Sequence, residues 1–193
     1  MYPSLEEIKK IASQGDYRRI PVCRELYADR FTPVEVMRTL RAASRHCYLL
    51  ESAENDQKWG RYSILGYEPI LELSCMNGKL RIRTEEDQTG PAAKECFLKE
   101  EYALVEHPGE LIRTILAEYK SPKIKGMPPF TGGMVGYFSY DYLKYAEPTL
   151  KKVLSGSEDF RDVDLMLFTK ALVFDHYRQK LILISGVDTS DID

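Results

Sequence analysis

The sequence lacks the features that mark several common classes of protein. Its 193 residues carry a net charge of −3, whereas nucleic-acid-binding domains usually show a basic excess, so we expect no nucleic-acid partner. No apolar run reaches the roughly 18 residues that a membrane span requires, so we expect no membrane partner. The amino terminus has no basic segment followed by an apolar stretch. The sequence therefore predicts no signal peptide and a cytoplasmic location.

Patterns typical of metal sites and disulfides are also missing. The four cysteines are Cys23, Cys47, Cys75 and Cys96. They lie far apart and form no Cys-x-x-Cys pair, so we expect them to be reduced. The three histidines are scattered, and no His/Cys spacing or carboxylate pair resembles a metal site. The sequence predicts neither a metal nor a cofactor in this chain.

Signatures of nucleophilic catalysis and of phosphate binding are absent. No Gly-x-Ser-x-Gly pattern surrounds Ser52, and Asp175-His176 lies in an apparent hairpin turn, which favours a plain turn over a catalytic role. The glycine-rich segment 132–136 is not followed by Lys-Ser/Thr, and its spacing differs from the dinucleotide-binding fingerprint. We interpret its glycines as sites of close backbone packing in a curved sheet. The sequence thus predicts no catalytic residue.

Hydrophobic residues make up 44% of the chain and charged residues 30%, which is typical of a globular protein, and we expect a single domain over 1–193.

Two helix starts are clearly encoded. Ser4 and Glu7 form the pattern of a capping box, in which each side chain binds the other residue's backbone N–H. Thr32 and Glu35 repeat this pattern, with Pro33 at the first helical position.

The clearest strand signal is a hairpin. Asn77-Gly78 favours a two-residue type I′ turn between two runs with strand periodicity. This turn places Cys75 opposite Leu80 on one face and Glu72 opposite Arg83 on the other. Apolar and charged partners sort onto separate faces, so the pattern and the turn predict the same register.

The remaining segments indicate the fold class. Periodicity predicts a helix over Glu110–Lys120 and strands over Leu165–Phe174 and Lys180–Val187, whereas Thr84–Ala103 is polar and is predicted to be a surface excursion. Strands come in hairpins rather than in regular alternation with helices. We therefore predict an α+β fold with mainly antiparallel sheets and helices packed outside.

One stretch, 47–66, combines two apolar runs with a polar loop. The first run ends at Glu51 and Ser52, and the second begins near Arg61. An amino-acid ligand needs an acceptor for its ammonium, donors for its carboxylate and an apolar slot. Glu51 is a candidate acceptor, Ser52 could orient the ligand, and Lys58 and Arg61 are candidate carboxylate partners. The alternative, which local chemistry leaves open, is a strand end with solvated charges.

Leu50 and Tyr62 could line the apolar slot and complete the candidate ligand-binding residues. The full set is Leu50, Glu51, Ser52, Lys58, Arg61 and Tyr62.

Four segments together resemble a known family. They read IPVCRELYADRFTPVEVMRTL, LLESAENDQKWGRYSILGYEP, PFTGGMVGYFSYD and VFDH. The chain is similar in these segments to the N-terminal region of the anthranilate synthase component I family, the chorismate-using lyases of tryptophan biosynthesis. The resemblance implies antiparallel β-sheets sandwiched by helices. It also implies that the LLES segment contributes to a feedback site for L-tryptophan, which points to Leu50, Glu51 and Ser52 and less directly to Lys58, Arg61 and Tyr62.

The resemblance also predicts what this chain does not contain. Family members are longer, and their chorismate- and Mg²⁺-binding residues lie in a C-terminal catalytic domain that we expect to be absent here. The expected partners are that domain, which completes the tryptophan pocket, and the glutamine amidotransferase component II. The chain alone is expected to make no anthranilate. Alternatives are the related aminodeoxychorismate synthase component I of the folate pathway and a stand-alone amino-acid-binding module.

Overall fold

The chain divides into two compact units. The structure is a computed structural model that describes residues 1–51, 60–85, 98–150 and 160–192. The first unit comprises Met1–Pro69, Ala117–Gly133 and Phe168–Asp193, and the second comprises Ile70–Leu116 and Met134–Leu167.

The described residues contain ten strands and four α-helices. The strands are β1 (Arg19–Tyr27), β2 (Cys47–Glu51), β3 (Tyr62–Tyr67), β4 (Leu71–Met76), β5 (Lys79–Glu85), β6 (Leu98–Leu104), β7 (Gly133–Phe138), β8 (Val163–Phe168), β9 (Lys170–Asp175) and β10 (Lys180–Asp188). The helices are α1 (Leu5–Gln14), α2 (Pro33–Ala43), α3 (Pro108–Glu118) and α4 (Leu143–Ala146). None of these helices is long and apolar enough to cross a membrane.

The strands form two five-stranded antiparallel sheets. The first has the order β1-β10-β9-β3-β2, and the second has the order β6-β5-β4-β8-β7. The predicted α+β class with antiparallel sheets is confirmed. Strand β1 lies at an edge of the first sheet, where the missing N–H of Pro21 is tolerated.

Both predicted helix starts are confirmed. The backbone N–H of Ser4 donates to Glu7 Oε2 at 2.8 Å, and Ser4 Oγ accepts from the Glu7 N–H at 3.4 Å. Thr32 and Glu35 make the corresponding bonds at 3.0 and 3.3 Å. Each cap satisfies N–H groups that lack a partner within the helix, which is worth about 1 kcal/mol.

The hairpin between β4 and β5 has the register that the sequence predicts. Cys75 lies opposite Leu80, and Glu72 lies opposite Arg83. Asn77 and Gly78 both have positive φ, 49° and 78°, as a type I′ turn requires.

One glycine of the 132–136 segment shows the close approach that the sequence predicts. A Cβ on Gly136 would come within 2.0 Å of the carbonyl oxygen of Asp164. No larger residue fits there without a backbone shift, which agrees with a packing role for this glycine.

Two predictions for strands are wrong. The strand predicted over Leu165–Phe174 is two strands, β8 and β9, which belong to different sheets and are separated by Thr169. The break falls at the polar residues Thr169 and Lys170, between the buried Phe168 and Ala171, and the apolar residues resume directly after it. The predicted surface excursion Thr84–Ala103 also contains a strand, since β6 pairs with β5 along its length, while residues 86–97 lie outside the described part.

The first sheet carries a cluster of buried side chains on each face. Val173 and Ile182 belong to one cluster, and Phe174 and Leu181 belong to the other, because neighbouring residues along a strand point to opposite faces. Leu40 of α2 joins the second cluster. Helix α2 therefore covers that face, which is called the α2 face below.

Candidate functional site

The residues predicted to bind a ligand lie where β2 ends and β3 begins. Glu51, the last residue of β2, pairs with Ser63, and Leu50 pairs with Ile64. Arg61 directly precedes β3. Strand β2 is an edge strand of the first sheet, so among the described strands it pairs with β3 alone. The structure thus brings Glu51 and Arg61 to one end of one strand pair. Ser52 and Lys58 lie outside the described residues.

The side chains of this site alternate between the two faces of the sheet. Glu51 and its partner Ser63 point to the α2 face, since Ser63 pairs in turn with Phe174 of the α2-face cluster. Leu50 and Tyr62 point to the opposite face. A ligand that contacts both groups has to reach around the end of the sheet. About half of the Leu50 surface is exposed (49%) and is available for such a contact.

Arg61 is held rigidly by a carboxylate that the sequence did not single out. Its Nε and Nη2 atoms donate to Oδ1 and Oδ2 of Asp175 at 2.9 and 2.6 Å, which is the bidentate geometry of a strong ion pair. The guanidinium carbon also lies 4.9 Å from the ring centroid of Tyr62 and 5.6 Å from that of Tyr177. The guanidinium plane is therefore fixed by contacts on several sides.

The electrostatics of this pair favour both charged forms. Asp175 is only 2% exposed. Burial acts to raise the pKa of Asp175, but hydrogen bonds from the Arg61 guanidinium and the Arg178 backbone N–H outweigh it, so that pKa lies below its ordinary value. Hydrogen bonding to Asp175 in turn raises the pKa of Arg61. An ion pair of fixed geometry and no net charge thus lies beside the end of β3.

Glu51 belongs to a short chain of hydrogen bonds. Ser63 Oγ donates to Glu51 Oε1 at 3.2 Å and lies 2.7 Å from His176 Nε2. Ser63 is 3% exposed, whereas Glu51 and His176 are exposed. The buried hydroxyl therefore links two surface side chains, which come from β2 and from the residue after β9.

Asp175 and His176 were predicted to be part of a plain turn. His176 does begin the turn between β9 and β10, but both side chains reach across to β3. Strand β9 pairs with β3, and this places Asp175 opposite Tyr62. The sequence signal that could have found them is the abrupt end of the apolar run Ala171–Phe174 in two polar residues, which matches the end of β2.

A second polar cluster lies in the other unit and was not predicted. Lys144 Nζ donates to Asp162 Oδ1 at 2.7 Å and to Asn77 Oδ1 at 2.8 Å. Asp162 Oδ2 accepts from the Tyr145 hydroxyl and from the Asn77 backbone N–H, each at 2.6 Å. Burial, and then the hydrogen bond to Asp162, raises the pKa of Tyr145. These bonds fix the β4–β5 turn against α4.

A surface pocket of about 570 Å³ adjoins this polar cluster. It is lined by Asn77, Gly78, Leu104, Val105, Glu106, Lys144 and Tyr145. Within the described ranges, no group of three or more His, Cys, Asp or Glu side chains is arranged to hold a metal ion.

Comparison with known proteins gives a consistent set of relatives. The chain is 34% identical over 183 residues to anthranilate synthase component 1 of Acetivibrio thermocellus, covering 95% of this chain and 34% of the relative. It is 33% identical over 192 residues to that of Acinetobacter calcoaceticus, covering 97% of this chain and 36% of the relative. The corresponding Pseudomonas aeruginosa protein is 33% identical over 187 residues, with 96% and 35% covered. The resemblance seen in the sequence motifs is confirmed over nearly the whole chain.

The match covers only part of these proteins. The chain spans about a third of the length of the curated relatives it matches. Among solved structures, anthranilate synthase component I from Streptococcus pneumoniae TIGR4 aligns with 86% of this chain and 32% of its own, at 22% identity and a TM-score of 0.46. No family model matches the chain.

Proposed function

We propose that this chain is the N-terminal, tryptophan-binding regulatory domain of an anthranilate synthase component I. The support is its similarity to anthranilate synthase component 1 over nearly its whole length, together with the charged groups at the end of β2 and β3. In this proposal the full-length protein makes anthranilate and pyruvate from chorismate and ammonia, which a glutamine amidotransferase supplies. Chorismate and Mg²⁺ bind in a catalytic domain that lies beyond these residues.

The observation that carries the proposal is that an exposed carboxylate, Glu51, and an immobilised guanidinium, Arg61, lie at the same end of the β2–β3 pair, where a ligand that reaches around the sheet end can contact both. Glu51 Oε1 accepts from Ser63, which leaves Oε2 without a partner among the described residues. Arg61 uses Nε and Nη2 on Asp175, and its Nη1 makes no hydrogen bond within the described part of the chain. An amino acid has one ammonium and one carboxylate, which such a pair of groups can recognise together.

The Arg61–Asp175 pair suits this role because it is already organised before a ligand arrives. A free arginine side chain loses considerable rotamer freedom when it binds, and that loss weakens affinity. Here the bidentate bond and the two tyrosine rings restrict the guanidinium in advance. Leu50 and Tyr62 provide apolar surface on the other side of the sheet end for an aromatic side chain.

Regulation in this proposal is a coupling free energy between two sites. Tryptophan bound at the sheet end favours an arrangement of the full-length protein that binds chorismate less well. The coupling is reciprocal, so chorismate must weaken tryptophan binding by the same factor. Titration of either ligand in the presence of the other therefore measures the proposed coupling.

The test is tryptophan binding to the full-length protein with Glu51→Gln. This change keeps the shape of the side chain but removes the charge that accepts the ammonium. We expect tryptophan affinity to fall by at least about tenfold, the loss typical of a hydrogen bond to a charged group. Isothermal titration calorimetry measures the affinity directly. Phenylalanine, titrated in parallel, reports whether the site selects the indole ring.

A matched control is Glu6→Gln on α1. Glu6 is exposed and lies in the first turn of that helix, away from β2 and β3. We expect its affinity for tryptophan to equal that of the unaltered protein. Equal affinities for all three proteins would show that Glu51 does not receive the ammonium, and the proposed site would be wrong.

A further inference from the structure

We propose that His176 is a positioning residue of the amino-acid site, and that it acts through the buried Ser63 hydroxyl to hold the Glu51 carboxylate in place for the ligand's ammonium. This inference rests on the proposed function. It adds a residue from a distant part of the chain to the site, and it assigns that residue no contact with the ligand itself.

The direction of each hydrogen bond follows from the chemistry of the three groups. A carboxylate can only accept, so Ser63 must use its one proton on Glu51 Oε1. Ser63 Oγ then has only lone pairs to offer His176 Nε2, 2.7 Å away. Both bonds exist together only when Nε2 carries a proton. The arrangement is therefore His176 Nε2–H to Ser63 Oγ–H to Glu51 Oε1.

The imidazole is held at its position independently of Ser63. The backbone N–H of His176 donates to the carbonyl of Arg61 at 3.0 Å. Its ring stacks on Phe174 with an interplanar angle of 15° and a centroid distance of 6.4 Å. Phe174 is itself 2% exposed and belongs to the cluster under α2. His176 is thus an exposed side chain on a rigid support, which is what a group that orients another residue requires.

Glu51 needs such support more than most strand residues do. It is the last residue of an edge strand, and its side chain is exposed. A carboxylate in this position has several rotamers of similar energy, and binding an ammonium would have to select one of them. The bond from Ser63 fixes Oε1, and Oε2, which has no partner among the described residues, is left for the ligand. When His176 no longer donates to Ser63, the hydroxyl is free to turn away from Glu51.

The test is a double-mutant cycle in tryptophan affinity, measured by titration calorimetry on the full-length protein. We expect His176→Ala to weaken binding by about five- to tenfold, because a hydrogen bond that organises a charged acceptor is lost. In the Glu51→Gln background we expect the same change to have no further effect. A histidine that only supports the fold would weaken binding equally in both backgrounds.

Two further variants sharpen the result. His176→Gln keeps an N–H close to the position of Nε2 and is expected to restore most of the affinity that His176→Ala loses. His107→Ala is the matched control, since His107 is also exposed but directly precedes α3 in the other unit. It is expected to leave tryptophan affinity unchanged.

The outcomes separate the two proposals. If Glu51→Gln weakens binding while His176→Ala does not, or if the two effects simply add, the role of His176 is refuted and the tryptophan site stands. If Glu51→Gln has no effect, the site itself is wrong and the role of His176 falls with it. Loss of binding with His176→Gln as severe as with His176→Ala also refutes the role assigned to the Nε2 proton.

Discussion

Replacing Lys144 with methionine should destabilise the second unit strongly. Lys144 and Asp162 are 6% and 2% exposed, and their charged atoms lie 2.7 Å apart. Methionine is close to lysine in length and fills the same space without the ammonium. The variant Lys144→Met therefore removes one charge of a buried pair while it leaves the packing nearly intact. Asp162 then stays buried without the cation that pairs with it among the described residues.

The size of the effect follows from what Asp162 retains. Removing one partner of a buried ion pair costs about 3–5 kcal/mol, because the other charge is left uncompensated. Asp162 Oδ2 keeps its bonds from Tyr145 and from the Asn77 backbone, and only Oδ1 loses its donor. We therefore expect a loss near the lower limit, about 3 kcal/mol in the free energy of unfolding. A loss of this size is a large part of the stability of an ordinary domain.

Equilibrium unfolding in urea, followed by far-ultraviolet circular dichroism, measures this loss. The matched control is Lys99→Met in the same unit, because Lys99 also lies 2.8 Å from a carboxylate, that of Glu101, but is 59% exposed. Exposed pairs contribute little, so we expect no measurable change for the control. The double variant Lys144→Met/Asp162→Asn removes both charges and should lose less stability than the two single variants summed.

The result that would refute this reasoning is a small effect. If Lys144→Met unfolds at the same urea concentration as Lys99→Met, burial of the pair has no energetic consequence. If the losses of the two single variants add in the double variant, the two charges are not coupled, and the short distance between them contributes nothing.

Two further predictions concern the first unit. Tyr48→Phe should raise the free energy of unfolding by about 1 kcal/mol, because the Tyr48 hydroxyl is buried with no hydrogen-bond partner among the described residues. Chemical denaturation measures this change, and a loss of stability would contradict the prediction. Arg61→Met should lower stability at neutral pH and do so less below about pH 4, near the ordinary aspartate pKa. The lowered pKa of Asp175 stabilises the fold above that range and ceases to do so as the carboxyl is protonated. Thermal unfolding at pH 7 and pH 3 tests this, and an equal loss at both values would rule it out.

Features that depend on a few neighbouring residues could be predicted from the sequence. The capping pattern of Thr32, Pro33 and Glu35 is complete within four positions, and it set the start of α2. The turn at Asn77-Gly78 fixed the register of β4 and β5, because positive φ at both positions leaves only one way to pair the strands.

The strand errors have physical causes. The break at Thr169 carries neither glycine nor proline. The polar residues Thr169 and Lys170 lie between the buried Phe168 and Ala171, and such a pair does not distinguish a change of sheet from a partly exposed position within one strand. Strand β6 has charged side chains and lies at an edge, where neither face is fully buried, so it shows no alternation of apolar and polar residues. Its pairing is supported by an ion pair across the strands, between Glu100 and Arg83.

The candidate site was predictable only in part, because some of its residues come from distant parts of the chain. Glu51 and Arg61 are close in sequence, and the apolar runs around them indicated that both lie at strand ends. Their supports are Asp175, the last residue of β9, and His176, which follows it; both lie more than half the chain away, and only the pairing of β9 with β3 brings them there. A residue pattern within one segment contains no information about that pairing.

The order of strands in the first sheet bears on how the protein is made. Among the described strands of that sheet β1 pairs with β10 alone, apart from a short bridge of Tyr2 to Cys23, and Arg19 faces Asp188 across the pair. On the ribosome, β1 emerges before β10 and acquires this strand neighbour only after β10 has been made. Until then its inward residues Ile20 and Val22 have Ile8 of α1 as local cover. A pause in translation before Lys180 is therefore expected to prolong the interval in which β1 lacks its strand neighbour.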